Sequence, residues 1–276
     1  MATPEASFRA PEPAMPHIEI GDLRLNYLDE GRATGAPVVF AHALGSDLRI
    51  WDNLIPLLPQ DLRLVRYDLR GHGRSTTPEP PYAMGALIRD AERLMEALSI
   101  REAVFVGCSI GGMIAQGLAV KRLDLVRGLV LCDTAAKIGT PEIWQDRIDQ
   151  VRSYGLESLA DPTMKRWFAP AFRQGPEGQL WRERFIEGDP DGYAGGAAAI
   201  AGTDFYTTTA RLTLPTLALV GSEDGSTPPD LVRETAELIR GSRFEIVRGA
   251  GHVPSVDKPA EVAALLTEFL RSIGHV

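Results

Sequence analysis

Cysteine is almost missing: Cys108 and Cys132 are the only two, each inside an apolar run, so no disulfide framework carries the fold. They read as small buried hydrophobes, and their scarcity suits a reducing compartment, so a cytoplasmic protein is expected. Long apolar runs are missing too, and none approaches the ~18 residues of a membrane-crossing helix, so no membrane partner is expected. Nor is there an excess of basic charge. Twenty-nine Lys and Arg stand against 37 Asp and Glu, a formal net charge of −8, which argues against nucleic acid or an anionic membrane surface as partner. Residues 1–16 lack the basic and apolar regions of a secretory signal and hold Pro4, Pro11, Pro13 and Pro16, so they read as a loose tail.

What is present is ordinary globular composition, 44% hydrophobic and 24% charged over 276 residues, enough to bury a substantial core. HIEI and LRLNYL alternate with period two around Gly21-Asp22, which predicts an antiparallel hairpin over 17–28. Six short apolar runs follow: VVFA (38–41), LRLVRYD (62–68), AVFVG (103–107), VRGLVLCD (126–133), TLALVG (216–221) and RFEIVRG (243–249). Strands covered on both faces have this character. Between them Leu87, Ala91, Leu94, Met95 and Leu98 recur at helical spacing, as do Val262, Leu265, Leu266, Phe269 and Leu270. The alternation predicts an α/β fold on a mostly parallel, doubly wound sheet. From Ala135 to Arg211 no strand run occurs, while Trp144, Trp167 and Trp181 all fall there. That interval is too long for a loop and predicts a helical cap over 135–211, inserted into a core of 17–134 and 212–276.

The stretch VFVGCSIGGMIAQ (104–116) contains G-x-S-x-G, a pattern that also arises by chance. Its setting gives it meaning. An apolar strand enters and helix formers with Ile114 and Leu118 on one stripe leave, so the sharp turn would expose Ser109 at a helix N-terminus, where the dipole favours an oxyanion. A serine hydroxyl needs a base, and the base an orienting carboxylate. In hydrolases built on such an elbow the order is Ser, then Asp or Glu, then His, and among five histidines His252 in GAGHVPSVDKP fits it. His17 and His275 lie at the ends and read as surface residues, while His42 and His72 precede the serine. For the acid, LALVGSEDG leads from a strand into Glu223 and Asp224; neighbours at a strand end point in opposite directions, and Asp224 is the choice. A metal site of His42, Asp68 and His72 has no supporting HxH or HExxH spacing, so no metal is expected.

Together HALGSDLRIWD (42–52), YDLRGHGRS (67–75), GCSIGG (107–112), GSEDGSTPP (221–229) and AGHVPSVDKP (250–259) resemble the α/β-hydrolase superfamily over almost the whole chain after residue 17. The resemblance implies that the backbone N–H groups of Leu44 and Ile110 form the oxyanion hole, with Ala43 where glycine is commoner. It also implies that Asp68, Arg70, Gly71 and Gly73 form a structural turn. Within the superfamily, HALGSDLRIWD, GCSIGGMIAQGLA, LCDTAAKIGTPEIWQDRI and DPDGYAGGAAAIAGTDF are similar to the 3-oxoadipate enol-lactonases of the β-ketoadipate pathway.

That likeness implies a small-molecule lactone substrate, an acyl-enzyme on Ser109 and no cofactor. It places Trp144 over the pocket, whereas Trp167, Phe168, Trp181 and Tyr193 read as core. The substrate carboxylate calls for a local cation, from Arg49, Lys137, Arg147, Lys165, Arg166 or Arg173. The alternatives are a carboxylesterase or perhydrolase-like enzyme on the same scaffold, and a non-catalytic hydrolase-fold binding protein.

Overall fold

The computed structural model describes residues 16–21 and 23–276, so the tail expected over residues 1–16 lies outside the described residues except for Pro16. The strands are β1 (His17–Ile20), β2 (Leu23–Gly31), β3 (Pro37–Ala41), β4 (Arg63–Tyr67), β5 (Ala103–Cys108), β6 (Val126–Cys132), β7 (Thr216–Gly221) and β8 (Arg243–Val247). They form one sheet in the order β1-β2-β4-β3-β5-β6-β7-β8. β1 pairs antiparallel with β2 and β2 with β4, and every other pairing is parallel. The N-terminal hairpin thus extends a parallel sheet, and β2 runs three residues past the alternation that announces it.

The unalternating runs have a direct physical cause. Val38 to Ala41, Ala103 to Val106 and Leu217 to Val220 are all buried, because helices cover both faces of the central strands. The helices flanking the first half are α1 (Met84–Ala97), which buries Leu87, Ala91, Leu94 and Met95, and α2 (Ile110–Lys121), which is buried nearly all round. Between β6 and β7 come α3 (Pro141–Tyr154), α4 (Glu157–Trp167), α5 (Pro170–Arg173), α6 (Pro176–Ile186), α7 (Pro190–Ala201) and α8 (Tyr206–Thr209). The chain closes with α9 (Pro229–Leu238), α10 (Pro254–Asp257) and α11 (Pro259–Ser272). Many of these helices start on proline, which has no N–H to leave unpaired in a first turn.

The helices between β6 and β7 are tied to the sheet by polar as well as apolar contacts. Gln116 of α2, fully buried, accepts from Thr209 Oγ1 of α8 at 2.6 Å and donates to the Ala135 carbonyl at 3.4 Å. At the start of α7 the Asp189 carboxylate caps the helix, accepting from the N–H groups of Asp191 and Gly192 at 2.9 and 3.0 Å. Gly192 there lies flat against the turn after β4: a Cβ on it would sit 1.7 Å from the Gly71 carbonyl oxygen. At the C-terminus one expectation is corrected. His275 is buried, its Nε2 3.0 Å from the Pro37 carbonyl, because α11 folds the chain end back onto the start of β3; His17 is exposed.

Gly192→Ala should therefore destabilise the protein by about 1–3 kcal/mol, since backbone faces backbone and no side chain can yield. Urea denaturation followed by circular dichroism reads this, and an unchanged midpoint would contradict the close approach.

Candidate active site

The sheet order reverses at β3, whose chain neighbour β4 lies on one side and β5 on the other. Connections diverge there, leaving a crevice at the carboxyl ends of β3 and β5, where open α/β sheets take ligands. The loop after β3 begins at His42 and the turn after β5 holds Ser109. Ser109 sits at φ 55°, ψ −117°, a conformation that costs a non-glycine residue about 1–3 kcal/mol. Its backbone is held on several sides. Ser109 N–H donates to the Cys132 carbonyl at 3.0 Å, while its own carbonyl accepts from Gly112 N–H (2.9 Å), Met113 N–H (3.2 Å) and Thr134 Oγ1 (2.6 Å). The turn is so tight that a Cβ on Gly111 would stand 2.3 Å from the Ala41 carbonyl oxygen. The elbow glycines thus let α2 start directly against β3.

Asp224 and His252 come from the loops after β7 and β8. Asp224 Oδ2 lies 2.8 Å from His252 Nδ1, and both side chains are shut off from solvent. Glu223, the other candidate acid, is exposed. The Asp224 carboxylate also accepts from Ser226 N–H (2.7 Å) and Thr227 N–H (3.1 Å) on Oδ1 and from Thr227 Oγ1 (2.7 Å) on Oδ2. These donors meet both oxygens of the buried carboxylate. With Nδ1–H committed to Asp224, His252 Nε2 is left as the basic nitrogen. Thr227, Ser226 and Thr134 escaped the sequence reading; the Asp-Gly-Ser-Thr turn is the one local sign of the first two.

The loop that carries Leu44 is locked by two histidines. His42 Nε2 accepts from Leu69 N–H at 2.9 Å and its Nδ1 faces the Ala43 carbonyl at 2.8 Å. His72 Nε2 accepts from Gly45 N–H at 3.0 Å, with Nδ1 3.0 Å from the Arg70 carbonyl. Burial pushes both rings down to about 4, so they are neutral and each has one donor and one acceptor nitrogen in use. Asp68 completes the lock, accepting from Leu48 N–H (2.8 Å), Asn26 Nδ2 (2.7 Å) and Arg74 N–H (2.9 Å). Arg70 reaches the other way, gripping Asp90 of α1 at 2.6 and 2.7 Å. Among the described residues the N–H groups of Leu44 and Ile110 make no hydrogen bond, which leaves both available to an oxyanion.

Ser109, His252 and Leu44 share a cavity of about 150 Å³ with Trp144, Arg147, Arg166, Trp167 and Tyr193. Trp144 is fixed over it by its Nε1–H, which donates to the Ile138 carbonyl at 2.6 Å. Trp167 and Tyr193, read from sequence as core, line the cavity as well, whereas Phe168 and Trp181 do not. Of the six candidate cations, only Arg147 and Arg166 reach it. Arg49 is paired with Asp47 at 2.6 Å and Lys137 with Asp204 at 3.1 Å. Arg147 lies over the Trp144 ring and faces the Tyr193 hydroxyl, and Arg166 donates to Thr163 Oγ1 at 2.9 Å. Among the described residues neither meets a carboxylate. Burial, and then the like charge of Arg147, pull the Arg166 guanidinium below its ordinary range.

A family model described as the alpha/beta hydrolase fold matches residues 36–259. The chain is 33% identical over 240 residues to a protein of Acinetobacter baylyi named 3-oxoadipate enol-lactonase 2, spanning 86% of this chain and 90% of that one. The solved enol-lactonase of Burkholderia xenovorans LB400 superposes with a TM-score of 0.89 at 31% identity, over 93% of this chain and all (100%) of the other. A thermophilic esterase from Thermogutta terrifontis, solved with malate bound, gives 0.86 at 31% identity, over 92% of this chain and 95% of the other.

Thr227→Val removes the hydroxyl that bonds Asp224 beside His252. A hydrogen bond to a charged group is worth about 1.5–3 kcal/mol, so kcat for p-nitrophenyl acetate should fall about tenfold or more with KM unchanged. Steady-state kinetics check this, and an unaltered kcat would remove Thr227 from the site.

Proposed function

The chain belongs to the α/β-hydrolase fold family and is a hydrolase, and on that premise we propose that it opens 3-oxoadipate enol-lactone to 3-oxoadipate in the β-ketoadipate pathway, through an acyl-enzyme on Ser109. In this reading His252 Nε2 takes the Ser109 proton as Oγ attacks the lactone carbonyl. The tetrahedral oxyanion accepts from the Leu44 and Ile110 N–H groups, each such donor contributing about 3 kcal/mol to the transition state. Collapse breaks the ring C–O bond. The expelled enolate is protonated and becomes the ketone, and the other end of the molecule stays esterified to Ser109. Water, deprotonated by His252, then cleaves the ester, so one lactone and one water give one 3-oxoadipate. Asp224 holds the imidazole in the required tautomer and stabilises its charged form.

The observation that carries the substrate assignment is the pair Arg147 and Arg166. A protein of net charge −8 has placed two guanidinium groups, without a carboxylate partner among the described residues, in the same small cavity as Ser109 and His252. Leaving cations so is costly unless a substrate anion completes them. The enol-lactone supplies a carboxylate on a small ring, and Trp144, Trp167 and Ile138 supply apolar walls for the ring. The same features suit small esters bearing a carboxylate, a second reading favoured by the likeness to an esterase whose structure holds malate.

Wild-type kcat/KM should be higher for the enol-lactone than for p-nitrophenyl acetate. Arg147→Gln should raise KM for the lactone by about tenfold or more while leaving the neutral ester within about threefold, because only the anion uses the guanidinium. A better kcat/KM for the simple ester would give the esterase reading its place.

A further inference from the structure

Beside Asp224 lies a second carboxyl that the proposed mechanism leaves unused. Asp133 directly follows β6, in a left-handed conformation at φ 48°, and is fully buried. Its Oδ1 accepts the Gly221 N–H at 2.8 Å, and its Oδ2 is buried without a donor among the described residues. Ligand atoms of Asp133, Asp224 and His252 all fall within 4.8 Å of one another. Two carboxyls this close, out of water and with no Lys or Arg paired to either among the described residues, favour one proton between them.

The two carboxyls differ in the donors that meet them. Asp224 accepts from two backbone N–H groups, one hydroxyl and the His252 ring, whereas Asp133 accepts one N–H. We propose that Asp133 is a positioning residue held as the neutral acid, which donates its proton to the Asp224 carboxylate and so limits how much negative charge Asp224 presents to His252. An otherwise donorless oxygen then becomes a hydrogen-bond donor facing an acceptor.

The neighbours on every side agree with a neutral Asp133. Burial first, and the Asp224 charge second, push its carboxyl well above the usual carboxylate range. Asp257 of α10, which accepts the Gly251 N–H at 3.0 Å, is pushed up to about 6 by burial and adds negative charge on a third side. The Cys108 and Cys132 thiols flanking Asp133 are kept neutral by burial. His252 is the one group in the cluster able to carry positive charge, and its Nδ1 already faces Asp224.

The inference rests on the triad reading, and both can be read from one experiment on the full chain. The pH dependence of Ser109 phosphonylation by a fluorophosphonate, followed by mass spectrometry, reports the ionisation of His252 without any assumption about substrate. Asp133→Asn keeps both the acceptor for Gly221 and a donor for Asp224, so the midpoint of the acid limb should stay within about 0.2 units of wild type. Asp133→Leu removes the donor, leaves Asp224 more negative, and should raise the midpoint by about half a unit or more. Should that variant not fold, Asp133→Ala is read in its place. A fall of half a unit or more in Asp133→Asn would mean that the native residue is an anion and would overturn the proposal. An unmoved midpoint in the donor-free variant would reduce Asp133 to packing and overturn it too. Labelling of Ser109→Ala at the wild-type rate would instead overturn the triad.

Discussion

Ser109 is held at φ 55° by hydrogen bonds between its backbone and β6, Thr134 and the first turn of α2, and the layout of the site depends on that hold. The strain is offset by the Cys132 carbonyl on one side and by Gly112, Met113 and Thr134 on the other. Close approach of α2 to β3 follows, with Gly111 almost touching the Ala41 carbonyl, and this sets the start of α2 opposite the loop that bears Leu44. The same turn therefore brings Ser109, with Ile110 next to it in the chain, to the cavity that Leu44 also lines.

Around this turn the supporting groups divide by charge state. His42 and His72 are neutral struts, used for hydrogen bonding between the Leu44 loop and the turn after β4. Asp224 is a carboxylate surrounded by donors, and Asp133 beside it has one. Arg147 and Arg166, from the helices between β6 and β7, share the cavity of Ser109 and have no carboxylate partner among the described residues. Burial is the largest cause that moves His42, His72, Asp133 and Arg166 from their ordinary ranges.

Much of this could be read from the sequence. All eight strands lie where apolar runs or alternation place them, and the stretch between β6 and β7 is helical, because buried strands and amphipathic helices leave different periodicities. The elbow was legible because its sharp turn demands glycines, whereas the choice of Asp224 and His252 rested on the chain order found in hydrolases built on such an elbow. Contacts between distant segments were not legible. The Asp-Gly-Ser-Thr turn is a local sign of Thr227, but nothing near Thr134 or Asp133 announces that they will meet the region of Ser109, Asp224 and His252, and the cavity-lining places of Trp167 and Tyr193 come from helix packing that no local pattern encodes. His275, placed at the surface by its position in the chain, is drawn in by α11.

The central claim is that hydrolysis of the enol-lactone passes through Ser109. Following loss of the lactone by ultraviolet absorbance, with wild type and Ser109→Ala side by side at equal concentration, tests it most directly. Rapid loss with the wild type and a rate at least about a thousandfold lower with the variant is the predicted result. Equal rates, or no loss with the wild type, would contradict it.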